Sequence, residues 1–219
     1  MSRSPLDPAL LKFPHVVSAR EHAALRINDL SARPRFGCKG PGAPSWLAAN
    51  GYNVPEGANS ARLDNRGVLV ARLATSEFLI EATDGGAEPV SASLQQLRRP
   101  LTPPGWPLSP PPTPARPLDL YPVARQDLVV GIQGPSLHQL LRQVCSVDFV
   151  PLFEACGPHD GPVALTSMIG VGVVVWPRRT DSGSSLTVWL DPSFAHYFWT
   201  TLLEVGRGVG PLVIGSNTI

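Results

Sequence analysis

Between Pro100 and Pro117 nine of eighteen residues are proline, and a run of that kind admits neither helix nor ladder strand. Each proline removes a backbone donor and holds φ near −65°, so the stretch should run as extended polyproline and act as a stiff spacer. A peptide ligand for a proline-binding module is the less favoured reading. Folding must then take place on either side. The sequence divides into an N-terminal tail or arm (1–22), a first half (23–99), the spacer (100–118), a second half (119–210) and a C-terminal tail (211–219).

The two flanks share a grammar. An extended stretch Ala24–Phe36 leads into the turn Gly37-Cys38-Lys39-Gly40-Pro41-Gly42, and a helix is predicted over Ala43–Asn50 with Gly51 as its C-cap glycine. Gly67–Ala82 reads as two strands with Val68, Val70, Phe78 and Ile80 on one face, and a weaker helix follows at Pro89–Arg99. Beyond the spacer, Leu128–Gln133 reads as a strand and Gly134-Pro135 opens a helix Ser136–Val144. Val163–Trp176 and Leu186–Leu190 read as β, and Asp191-Pro192 starts the best helix, to Val205. A shift of 94 residues lays Gly37 on Gly131, Gly40 on Gly134, Pro41 on Pro135, Leu47 on Leu141 and Gly67 on Gly161. A constant offset across strand, turn and helix marks an internal repeat. The expected fold is therefore α+β, with two ferredoxin-like βαββαβ halves related by a pseudo-twofold.

Charge excludes some functions. Eighteen basic and seventeen acidic side chains give a net +1 with no like-charge block, so there is no electrostatic footprint for nucleic acid or an anionic membrane. With only 16 % charged and 43 % hydrophobic residues, apolar surface must either stay in water or be covered by a partner. Cys38, Cys145 and Cys156 have no CxxC spacing and read as free thiols of a reducing compartment. Val171–Trp176 is far too short to span a bilayer. A soluble, cytoplasmic chain is expected.

The five histidines form no HxxxH or HExxH. There is no GxSxG elbow or phosphate loop, and Gly170-x-Gly172 continues into strand where a dinucleotide turn would open a helix. The chain shows no nucleophile–base pair of its own.

Several short blocks, in order, carry a resemblance. They are Lys39-Gly40-Pro41, Trp46-Leu47, Val54-Pro55, Asn59, Leu69-Val70-Ala71-Arg72-Leu73 with Glu77-Phe78-Leu79, Tyr121-Pro122-Val123 with Arg125-Gln126-Asp127, Leu140-Leu141, Cys145-Ser146-Val147-Asp148, Val163-Ala164-Leu165-Thr166-Ser167 and Tyr197-Phe198-Trp199. In these the chain resembles the gamma-subunit family of heterotetrameric sarcosine oxidases, within the folate-binding-domain superfamily of the glycine-cleavage T-protein. That resemblance implies a subunit without catalytic residues, in a complex oxidising sarcosine or another N-methyl amine. FAD, FMN and NAD would belong to larger alpha and beta partners, beside a small zinc-binding delta subunit. The alternative is a stand-alone tetrahydrofolate-binding, aminomethyltransferase-like protein of one-carbon metabolism. The chain departs from the transferases in lacking room for a C-terminal barrel. It departs from the radical-linked folate proteins in that Gly37-Cys38-Lys39-Gly40 has a different order from their signature.

Four residues are candidates for ligand binding. Arg125 with Asp127 offers a fork and a carboxylate for a folate glutamate tail or a partner carboxylate, or else simply fixes a strand entrance. Arg72 and Glu77 flank the predicted hairpin bend, where cross-strand pairing alone would account for them. By the resemblance, Glu77 would read a pterin's amino edge. Tyr197, Phe198 and Trp199 are consecutive and cannot share one helix face, so Tyr197 and Trp199, with Trp106 of the spacer, are candidate partner contacts. No metal site is expected.

Overall fold

The computed structural model describes residues 4–6, 23–83, 85–98, 119–180 and 183–216. Trp106 and the proline spacer lie outside them. The chain forms two compact units, one from residues 34–125 and one from residues up to 33 together with 126 onward.

In the 34–125 unit, strands β2 (Arg35–Lys39), β3 (Ser60–Leu63), β4 (Val68–Ala74), β5 (Glu77–Ala82) and β6 (Tyr121–Val123) lie in the order β6-β2-β5-β4-β3. All these neighbours are antiparallel. Helices α1 (Ala43–Ala49) and α2 (Ala87–Arg98) supply Trp46, Leu47, Val90 and Leu97 to a core with Phe36, Val68, Val70, Phe78 and Ile80. These strand residues alternate along the chain, as a pleated strand with one buried face requires. Val68, Val70, Phe78 and Ile80 share the core face as the sequence predicts.

The same core holds Cys38, wholly buried; burial pushes its thiol up to about 12. It is therefore an unreactive thiol, because the thiolate is the nucleophile.

In the other unit, the sheet order is β12-β1-β7-β11-β10-β9, where β1 is Leu25–Asp29, β7 Leu128–Gln133, β9 Ala164–Met168, β10 Val171–Thr180, β11 Gly183–Leu190 and β12 Leu212–Ser216. β12 is parallel to β1, and the remaining pairs are antiparallel. Short β8 (Asp160–Pro162), helices α3 (Leu137–Val144), α4 (Val150–Glu154) and α5 (Ala195–Gly208), and a 3-10 turn Pro192–Phe194 complete it. Leu140 and Leu141 of α3 and Phe198, Trp199, Leu202 and Leu203 of α5 pack on Leu128, Val130 and Ile132 of β7 and on Val173 and Val188. Asp191 caps the 3-10 turn by accepting the Ser193 N–H at 2.8 Å. Hydrogen bonds from the Ser193 side chain and backbone hold the Asp191 carboxyl below the usual range.

Several expectations change here. The segment read as a C-terminal tail contains β12, and the first half's opening strand, β1, belongs with β7. Backbone pairing Arg26–Gln133 on one side and Leu25–Leu212 on the other draws both into one sheet. The units therefore do not coincide with residues 23–99 and 119–210. In the N-terminal arm, Leu6 is buried in its own chain's core, with its N–H on Ser4 Oγ at 3.1 Å; the turn expected at Ala9–Phe13 lies outside the described residues. The single extended stretch 24–36 is two strands, broken where Asp29 Oδ1 accepts the Ser31 N–H at 2.9 Å, a side-chain turn typical of aspartate.

The 94-residue offset holds through the strand–helix junctions and then fails. Gly40 and Gly134 both have positive φ, 112° and 130°, and a Cβ on either would run into a backbone carbonyl, of Asp119 or of Ala24. The same carbonyls accept the N–H of Gly42 (3.4 Å) and of Ser136 (3.0 Å). Gly67, by contrast, sits at a turn with φ 78°, whereas Gly161 lies within β8. The offset slips because α4 and β8 intervene: Gly37 pairs with Leu79, but Gly131 pairs with Thr187.

Where β2 enters its sheet, Arg35 Nε donates to Glu81 Oε2 at 3.0 Å, with side chains 1 % and 0 % exposed. Desolvating two charges offsets most of what their attraction returns, yet removing one partner strands the other in the core. Glu81→Ala should cost about 3–5 kcal/mol, read from urea unfolding. The double replacement by leucine and methionine should recover most of that loss.

Candidate functional site

Cross-strand register assembles a polar row at one end of the 34–125 sheet. Lys39 on β2 pairs with Glu77 on β5 and with Tyr121 on β6, so an ammonium, a carboxylate and a phenol stand side by side on neighbouring strands. Two residues along, Gly37 pairs with Val123 and Leu79. A Cβ on Gly37 would lie 3.0 Å from Arg125 Nε. The absence of a side chain there lets Arg125 cross the sheet, where its Nη2 donates to Glu77 Oε1 at 3.4 Å. Arg125 is 13 % exposed and Glu77 41 %. The long distance and open carboxylate make this a weak pair, which leaves Glu77 able to accept further hydrogen bonds.

Arg72 does not join the row. Its Nη1 donates to the carbonyls of Pro55 (3.0 Å) and Glu56 (2.6 Å), its Nη2 to that of Thr75 (2.5 Å), and its guanidinium lies 5.4 Å from the Phe78 ring centre. The register shift between Arg72 and Ala74 aims it at these groups. Arg72 is a clasp between the 55–56 loop and the β4–β5 bend. The pairing of Arg72 with Glu77 expected from the sequence is replaced by Arg125 with Glu77.

The other expected residues are scattered. Asp127 is half-buried just before β7, in the other compact unit. Tyr197 is 52 % exposed and donates to the Ile169 carbonyl at 3.2 Å, so it is the outward-facing member of its aromatic triplet. Trp199 is wholly buried in the core, which removes it from any role as a partner contact. Lys39 and Tyr121 were not singled out in the sequence, because what joins them to Glu77 is register between strands far apart in the chain. Among the described residues, no three His, Cys, Asp or Glu side chains gather to hold a metal ion, and no helix is long and apolar enough to cross a membrane.

Two sheet-based units, with helices packed on each, define an α+β protein whose most chemically legible site among the described residues is a row of surface polar groups. Solved structures identify the fold as T-protein-like. A chain of the heterotetrameric sarcosine oxidase from Corynebacterium sp. U-96 aligns with a TM-score of 0.62 and 19 % identity, covering 94 % of this chain and 95 % of that one. The glycine cleavage system aminomethyltransferase T from Bartonella henselae aligns with a TM-score of 0.56 and 16 % identity, covering 88 % of this chain but 48 % of that one. No family model matches the sequence, and no curated protein does.

Two substitutions separate the clasp from the row. Arg72→Lys keeps the charge but loses the fork, and should destabilise by about 1–3 kcal/mol, as loss of charge-assisted hydrogen bonds does. A double-mutant cycle on Arg125→Ala and Glu77→Ala should return a coupling of only about 0.2–1 kcal/mol. Both are measured by urea denaturation, and a larger coupling would mean that the pair is a structural brace.

Proposed function

We propose that this chain is a gamma-type, non-catalytic subunit of a heterotetrameric, sarcosine-oxidase-like complex acting on sarcosine or another N-methyl amine. The observation that carries this reading is the two-way coverage of the structural match. Some 94 % of this chain covers 95 % of the sarcosine oxidase chain, so the two are of nearly equal length and correspond end to end. The aminomethyltransferase, by contrast, extends well beyond its aligned 48 %. In this reading the two units descend from one repeated half. FAD, FMN and NAD sit on larger alpha and beta partners, a small delta subunit holds zinc, and the assembly works in the cytoplasm.

The arrangement of charges supports a structural role. Arg72 is engaged by three carbonyls, which favours a structural role for it over ligand binding. Tetrahydrofolate binding, the second reading, then rests on Glu77 and Arg125 alone, which are also weakly engaged with each other.

Co-expression with flavin-bearing alpha- and beta-type subunits should give a stoichiometric complex on size exclusion. The chain purified alone should be colourless and inert toward N-methyl amines. Elution as a free chain in the presence of those subunits would overturn the proposal. Saturable tetrahydrofolate binding by calorimetry, abolished by Glu77→Gln, would replace it with the second reading.

A further inference from the structure

Asn50 and Gly51 form the single Asn-Gly pair in the sequence; the other asparagines precede Asp, Val, Ser, Arg or Thr. Both residues of the pair are exposed, and they stand where α1 ends. An asparagine side-chain amide is open to attack by the backbone nitrogen of the residue that follows it. Glycine presents that nitrogen with no Cβ to shield it. Of the six asparagines, Asn50 therefore has the least hindered attacking neighbour.

The fold holds the two reacting groups apart. Asn50 has φ −93° and ψ 13°, and the Gly51 N–H points back along the helix to the Ala48 carbonyl at 3.0 Å. The Asn50 amide donates through Nδ2 to the Trp46 carbonyl at 2.8 Å. Beyond the pair, Arg66 Nη2 donates to the Gly51 carbonyl at 2.7 Å, and Arg66 Nε donates to Asp64 Oδ2 at 2.7 Å. Nucleophile, electrophile and the peptide after them are all pinned. The pins sit at a helix end, however, and α1 has only seven residues. A helix that short is marginal by itself and frays at its last turn. Asn50, Gly51 and Arg66 are all exposed, so no burial opposes that fraying.

We propose that Asn50 is a site of spontaneous deamidation, gated by opening of the last turn of α1. When the turn opens, the Gly51 nitrogen gives its proton to solvent base and attacks Asn50 Cγ. The new C–N bond replaces the bond to Nδ2, which leaves as ammonia. Water then opens the resulting ring at either carbonyl, giving aspartate or isoaspartate without any oxidant or cofactor. The product disturbs what the amide held. The donor to Trp46 is lost, and a carboxylate stands at a helix C-terminus, where the dipole disfavours it. Isoaspartate also lengthens the backbone just before Tyr52. Tyr52 is buried, with its N–H on the Leu47 carbonyl at 3.0 Å and its hydroxyl on Ser93 Oγ at 2.7 Å. The added length thus reaches the contact that ties α1 to α2. The inference is independent of whether the chain joins a larger assembly.

The test incubates the full chain in mildly alkaline buffer, folded and in guanidinium chloride. Aspartate and isoaspartate at position 50 are followed by peptide mass mapping and by isoaspartate-specific methylation. Conversion should concentrate at Asn50 over the other asparagines, and should run about tenfold or more faster in the unfolded chain than in the folded one. Arg66→Ala, an exposed change, should raise the folded rate and leave the unfolded rate as it was. Folded chain that has converted should melt at a lower temperature than fresh chain. No conversion at position 50 in guanidinium chloride would overturn the site. Equal rates in the folded and unfolded chain would overturn the gate, and an unchanged folded rate in Arg66→Ala would strike Arg66 from it.

Discussion

The fold turns on two places where the chain leaves a strand and enters a helix with no room for a side chain. At Gly40 and Gly134 the backbone adopts a conformation that L-residues avoid, and a neighbouring carbonyl occupies the space a Cβ would need. That carbonyl also accepts an N–H from the first turn that follows. One contact thus terminates the strand, orients the helix over the sheet and pins the start of an adjacent strand, β6 in one unit and β1 in the other. The rest of each core follows from where its helix has been aimed.

These junctions were the most legible part of the sequence because every determinant is local. The glycines, the following proline and the apolar period of α1 and α3 lie within a dozen or so residues of each other, and the predicted strand Leu128–Gln133 is found with the same bounds. What was hidden is what depends on distant partners. β12 is five residues beside Gly210 and reads as a tail until β1 is seen alongside it. β3 and β6 are short and partly polar or proline-bearing, with no strong alternation of their own. The allocation of residues to units was misjudged for the same reason. Chain order suggested two successive halves, and pairing carried one strand across the sequence to join the other.

The candidate site shows the same division. Arg72, Glu77 and Arg125 were visible as charged residues near turns, but their partners were not. A bulge directs Arg72 to carbonyls, and a missing side chain at Gly37 lets Arg125 reach Glu77 instead. The aromatic triplet obeyed helical geometry in that only one of its members faces outward. Which one was set by the direction of α5 on its sheet, a tertiary property with no local signature.

The parallel contact between β1 and β12 has a kinetic side. Strand β1 emerges early in synthesis, yet its partner strands β7 and β12 appear only after a long stretch of other chain. Until then β1 has exposed edges, whereas strands β2 to β5 can already pair with one another. Closing so long a loop is entropically slow. The first strand made must therefore wait as an unpaired ribbon while a later-made unit matures, and that interval is when a chaperone would have most to do.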